Sequence, residues 1–176
     1  RVVQVATQLP INTASSQVVT VAGTNGKGST LAALQALLSY PHKSLTRPSI
    51  GVYSSPHLKH FTERVQINGQ PVTEIALCQA LDRVDKARLD SGLSLSYFEF
   101  TTLAALLIFS EQDLDYMLLE VGLGGRLDAV NVIDADISVI TPIDLDHQVW
   151  LGHTRNAIAI EKAGILRFGQ SSVIAD

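Results

Sequence analysis

Cysteine is nearly missing from this sequence: Cys78 stands alone, so no internal disulfide can form, which fits a reducing compartment. Its place in a helix-like stretch between Leu77 and Gln79 marks it as a small core residue. Runs of Lys or Arg do not occur and the net charge is −4, so neither nucleic acid nor an anionic membrane meets a basic surface. Long apolar runs are missing too; residues 103–109 form the longest, far short of a bilayer span. The chain opens at Arg1 with no basic segment leading into an apolar one, so no secretory signal is visible. A cytoplasmic protein is the expectation. Internal repeats and low-complexity linkers are likewise absent. What the 176 residues do have is apolar content, 46% against 17% charged, enough for one domain with a sizeable core or a large piece of something longer.

Short β-branched runs alternate with helical spacing. Val18-Val19-Thr20-Val21-Ala22 reads as a buried strand ending at Gly23, and Ser29 opens a helix with Leu31, Leu34, Leu37 and Leu38 on one face. Residues 50–53 are a second strand, followed by a Ser-Ser-Pro-His loop; residues 64–67 enter a tight turn at Asn68-Gly69. A helix starts near Thr73, turns Leu77, Leu81 and Val84 to the core, and stops before Gly92. Residues 98–110 are apolar nearly all round, as a buried helix is. Strands follow at 116–121 and 136–141, then a helix at 156–163 and a last strand at 172–175. This order predicts an α/β fold, a mostly parallel sheet with helices on both faces. Ligands bind such sheets at the carboxyl ends of the strands, and the polar, glycine-rich segments fall there: after Ala22, Tyr53, Val121 and Thr141.

The segment Gly23-Thr24-Asn25-Gly26-Lys27-Gly28-Ser29-Thr30 lies between a strand and a helix. Its glycines let backbone N–H groups face phosphate oxygens at a helix N-terminus, Lys27 supplies a charge for the outer phosphates, and Ser29 or Thr30 offers a hydroxyl near Mg²⁺. The spacing departs from the ordinary P-loop, because Val21 stands where a glycine is usual and Gly28 separates the lysine from the first hydroxyl. That argues against a common kinase or GTPase. Glu120 ends an apolar strand and precedes Gly-Leu-Gly-Gly, the arrangement by which a nucleotide enzyme delivers a carboxylate to its metal. His147 follows the next strand end in Asp-Leu-Asp-His, although imidazole is an unusual Mg²⁺ ligand. Glu161-Lys162, Ser54-Ser55-Pro56-His57 and Tyr97-Phe98-Glu99 read, by themselves, as a solvated ion pair, a turn and a helix entry.

Taken in order, VAGTNGKGST, GVYSSPHL, ERVQING, YFEFTTLAAL, LLEVGLGGRLDAVN, TPIDLDH and EKAGI resemble the folylpolyglutamate synthase/dihydrofolate synthase branch of the Mur ligase family, over nearly the whole chain. The resemblance implies a P-loop fold like the Mur ligase central domain, with residues 1–176 an incomplete ATP-binding domain lacking the family's N-terminal start and C-terminal domain. It implies that Thr24, Asn25, Gly26, Lys27, Gly28 and Ser29 wrap the ATP phosphates and that Ser55, Glu120 and His147 ligate one Mg²⁺. Lys162 matches a lysine carbamylated in the family, whose added carboxylate helps hold a second Mg²⁺. Ser96, Tyr97, Phe98, Glu99, Leu127, Asp128 and Ala129 match positions lining the dihydropteroate site.

The activity so implied is ATP-dependent addition of L-glutamate to dihydropteroate or folate through an acyl phosphate, by a monomer, with Lys27, His147 and Lys162 as catalytic residues. Two departures stand out: Val149 replaces a usual acidic residue two positions after the histidine, and Val130 replaces Thr in the Asp-Ala-Thr-Asn form. The alternatives are a peptidoglycan-type Mur ligase and a noncatalytic nucleotide-binding module. The chain tested alone is expected to turn over little ATP.

Overall fold

Alternation along strand β5 (Tyr116–Glu120) shows why the sheet is buried on both sides: Met117 and Leu119 join one apolar cluster and Leu118 joins another. The computed structural model describes residues 1–40 and 47–175. β5 sits in the middle of a seven-stranded sheet together with β1 (Gln17–Ala22), β2 (Ile50–Tyr53), β3 (Val65–Ile67), β4 (Gln70–Pro71), β6 (Ile137–Ile140) and β7 (Ser171–Ile174), in the order β4-β3-β2-β5-β1-β6-β7. The pairings β2–β5, β5–β1, β1–β6 and β6–β7 are parallel, and the pairings β2–β3 and β3–β4 are antiparallel, with β3 and β4 forming a hairpin on one edge. Asn68, at φ 52°, and Gly69, at φ 79°, make the turn of that hairpin.

The helices are α1 (Val2–Ala6), α2 (Lys27–Leu38), α3 (Glu74–Asp90), α4 (Tyr97–Ser110), α5 (Gln148–Leu151) and α6 (Arg155–Ala163). One face of the sheet is covered by α1, α3 and α4, whose Val5, Val84, Leu103 and Leu107 meet Val18, Tyr53 and Leu119. The other face takes α2, through Leu31, Leu34 and Leu38 against Val19, Val21, Val52 and Leu118. Residues Thr101–Phe109 of α4 are all buried, as its unbroken apolar composition requires. Among the described residues no helix is long and apolar enough to cross a membrane.

The expected α/β architecture is therefore present, with strands and longer helices within a residue or two of their predicted ends. Three details differ. α2 starts at Lys27 and not at Ser29, so the lysine sits in the first helical turn. Leu37 is 68% exposed, because its position falls off the stripe made by Leu31, Leu34 and Leu38. Cys78 is exposed as well: α3 turns Leu77, Ala80, Val84 and Ala87 inward, and a residue one step after Leu77 points away from them.

Candidate active site

Four loops leave the carboxyl ends of β1, β2, β5 and β6 and meet around one cavity of about 690 Å³. Its wall includes Lys27 after β1, Ser55 after β2, Glu120 and Leu123 at and after β5, and His147 after β6. The same cavity is lined by Ser96, Tyr97, Phe98 and Glu99 of the α4 entry and by Leu127, Asp128 and Ala129. Lys27, the metal candidates Ser55, Glu120 and His147, and residues 96–99 and 127–129 thus share one space. Thr24, Asn25, Gly26, Gly28 and Ser29 stand outside that wall, on the loop and first helical turn that carry Lys27 into it. Lys162 lines an adjoining recess with Gly23, Lys27 and His147.

The β1 loop is held from its neighbour strand. Thr24 N donates to Pro142 O at 3.1 Å, its hydroxyl donates to Asp144 O at 3.1 Å, and Asp144 N donates back to that hydroxyl at 3.0 Å. Gly23 has no room for a side chain: a Cβ there would lie 1.7 Å from Thr141 Oγ1. Gly26, at φ 87°, is the left-handed step that turns the loop into α2. Two amines then converge on one carbonyl, since Lys27 Nζ lies 3.1 Å and Lys162 Nζ 2.7 Å from Gly23 O. Lys162 is buried, and burial first, with the charge of Lys27 second, lowers its pKa to about 8. A chain of this kind reads Glu161-Lys162 poorly as a solvated pair: Glu161 turns to Arg126 and Lys162 turns inward.

Glu120 is 5% exposed and accepts Ser55 N–H at 3.2 Å. Burial raises its pKa, against the opposing pull of that N–H and of Lys27. A buried carboxylate in this state gains from a cation, and the Ser55 hydroxyl and His147 imidazole on the same wall supply further donors. The donor set fits a divalent ion. Among the described residues, no three His, Cys, Asp or Glu side chains form a ready-made cage. His147 sits at φ 48°, caps α5 from the left-handed region, and places Nε2 3.5 Å from Asp146 Oδ2.

At the α4 entry, Ser96 and Glu99 form a reciprocal cap: Ser96 N donates to Glu99 Oε2 at 2.5 Å, and Glu99 N donates to Ser96 Oγ at 3.3 Å. The helix-entry reading of these residues holds, and the cap also forms part of the cavity wall. Phe98 lies beneath Gly122, where a Cβ would come within 2.5 Å of its ring. Asp128 accepts N–H groups from Leu123 and Val130, each at 2.9 Å, and burial pushes its carboxyl up to about 6.

Arg64 was missed by sequence reasoning. It is 8% exposed, lines the cavity, donates Nε to His57 Nδ1 at 2.9 Å, and places its guanidinium carbon 5.5 Å from the ring centres of both Phe61 and Tyr97. Its only sequence signal was a charged residue opening a strand. Trp150, Leu151 and Glu161 line the cavity too, and nothing in their spacing marked them.

A P-loop leading from a central parallel strand, with a buried carboxylate on the neighbouring strand's tip, defines a nucleotide-binding α/β domain. Sequence comparison gives 46% identity over 176 residues to the dihydrofolate synthase/folylpolyglutamate synthase of Escherichia coli (strain K12), covering 100% of this chain and 40% of that protein. The solved structure of E. coli FolC in complex with DHPP and ADP superposes with a TM-score of 0.88 at 45% identity, over 98% of this chain and 40% of that one. A bifunctional folylpolyglutamate synthase/dihydrofolate synthase with Mn, AMPPNP and L-glutamate bound matches at TM-score 0.87 and 46% identity, over 99% of this chain and 41% of that one. No family model matches the chain. The chain belongs to the folylpolyglutamate synthase/dihydrofolate synthase family. It spans about 40% of the length of these curated relatives, and the likeness favours the folate branch over the peptidoglycan-type alternative.

Proposed function

We propose that this chain carries the phosphate-binding and acceptor-binding parts of an ATP-dependent ligase that joins L-glutamate to dihydropteroate or a folate. The carrying observation is the shared cavity, lined by Lys27 and Glu120 together with Ser96–Glu99 and Leu127–Ala129. A carboxylate held on the acceptor wall faces the γ-phosphate held by Lys27. In-line attack by that carboxylate forms an acyl phosphate and releases ADP. The amine of L-glutamate then attacks the acyl carbon, expelling phosphate and leaving an amide. Lys27 spreads charge on the transferring group, and the fixed geometry of both walls supplies much of the acceleration.

Mg²⁺, held by Ser55, Glu120 and His147 with a second ion beside modified Lys162, would neutralise phosphate charge when bound. Burial favours the neutral Lys162 amine, the form that adds carbon dioxide with loss of a proton to give a carbamate carboxylate. Arg64 offers a buried cation to an anionic group of the acceptor.

Acceptor-dependent ADP release, measured with ATP, L-glutamate and either dihydropteroate or tetrahydrofolate, tests the reading in a polypeptide that carries this chain at the full length of its relatives. Release with at least one acceptor is expected. ATP turnover indifferent to both, or dependent on a UDP-muramoyl acceptor, would overturn it.

A further inference from the structure

The cavity lining carries several large apolar side chains that remain open to solvent. Leu127 is 80% exposed, Trp150 76% and Tyr97 61%. Single exposed apolar side chains are ordinary, but these three line one cavity, and exposure grouped in that way marks a binding surface. Trp150 sits on α5, the four-residue helix that begins directly after His147. That helix is anchored, not loose. Leu151 is 8% exposed and packs where a Cβ on Gly124 would come within 2.9 Å of it, Trp150 N donates to His147 O at 2.8 Å, and Gly152 at φ 97° ends the turn. The inner residue of α5 is therefore fixed on the β5 loop while its neighbour lines the cavity mouth.

We propose that Trp150 is a binding residue for the acceptor, its indole packing against the planar aromatic body of that substrate. This deepens the function proposed above and rests on it. The polar ends of the cavity are accounted for by Lys27 and Glu120 on the phosphate side, and by Asp128 and Arg64 on the acceptor side. Between them the wall offers Tyr97, Phe98, Leu123, Leu127 and Trp150, which suit a flat, largely apolar ring system and not a sugar or a phosphate. An aromatic side chain supplies that contact with few rotors to freeze. Because α5 joins His147 to Trp150, the same short helix sets both the cation donor and the acceptor cover.

Steady-state kinetics on the full-length protein, with dihydropteroate, ATP and L-glutamate, decide the matter. Trp150→Ala should raise the acceptor KM about 10-fold, the range expected for losing one aromatic stack. Trp150→Phe should restore it to within about 3-fold of the parent, and the ATP KM should stay within about 2-fold in both, since stacking is specific to the ring it covers. Val149→Ala, at a neighbouring residue that is 88% exposed and outside the cavity wall, should change neither. An acceptor KM unmoved by Trp150→Ala in an active enzyme sinks this inference alone, as does an equal rise in both KM values. A parent protein with no pterin-dependent ADP release sinks the functional reading and this inference together.

Discussion

At the scale of single residues, the site is built from groups whose charge the fold does not settle by itself. Asp128 is the clearest case. Its carboxylate accepts the Leu123 and Val130 N–H groups, yet burial outweighs them and pushes the group up to about 6 from an ordinary 3.8. The native chain therefore binds a proton more tightly than the unfolded chain does between those values. The stabilising contribution is full at the acid end of that window and is lost as pH rises through about 6. Asp128→Asn should lack this slope. Measured by urea unfolding, the stability difference between parent and variant should shift by about 1 kcal/mol between pH 5 and pH 7.5, against the parent at the higher pH. A difference constant across that range would contradict the assignment. Gly23 gives a sharper test of geometry, because an alanine Cβ would collide with the Thr141 side chain. Gly23→Ala should lower stability by about 2 kcal/mol or more and weaken nucleotide binding with it, read by thermal unfolding with and without ATP.

Among the elements, the most consequential join is between the loop after β5 and helix α6. Asn131 makes it: Nδ2 donates to Arg126 O at 3.0 Å and to Gly164 O at 3.1 Å, while Arg167 Nη2 donates to its Oδ1 at 3.0 Å. One amide thus ties the loop after β5 to the end of the helix that presents Lys162. Asn131→Asp removes both donors and faces a charge to two carbonyls, so it should destabilise by about 2–3 kcal/mol, more than Asn131→Ala. Equal losses in the two variants would mean that the amide only fills space.

These joins explain how much was legible beforehand. Strands such as Ile50–Tyr53 were readable because β-branched runs bounded by Gly, Pro and Asn have few other uses. The cavity's Gly-rich loops were readable because parallel sheets put such segments at one end. Arg64 was not, since its meaning comes from Phe61, Tyr97 and His57, three side chains brought together only by the fold. α5 was too short to show a period, and with it Trp150 stayed unmarked. Cys78 was misplaced because its composition signal is weak beside the phase of α3.

Across the whole molecule, the P-loop is a consequence of the sheet. β1 lies between β5 and β6, so the loop that follows it is flanked by Glu120 on one side and by Pro142 and Asp144 on the other. Phosphate binding is therefore linked to the stability of the central strands. A ligand that binds only the native state at 100 times its Kd adds about 2.7 kcal/mol, which for a chain of this size is a rise of about 5–10 °C in Tm. ATP with Mg²⁺ should produce a shift of that order, and removal of the metal by a chelator should shrink it. Lys27→Ala should abolish most of the shift while leaving the unliganded Tm within about 2 °C, because among the described residues the lysine amine bonds to carbonyls of its own loop. If the variant kept the full shift, the triphosphate would have to bind elsewhere, and the cavity between the two walls would lose its claim to be where the reaction occurs.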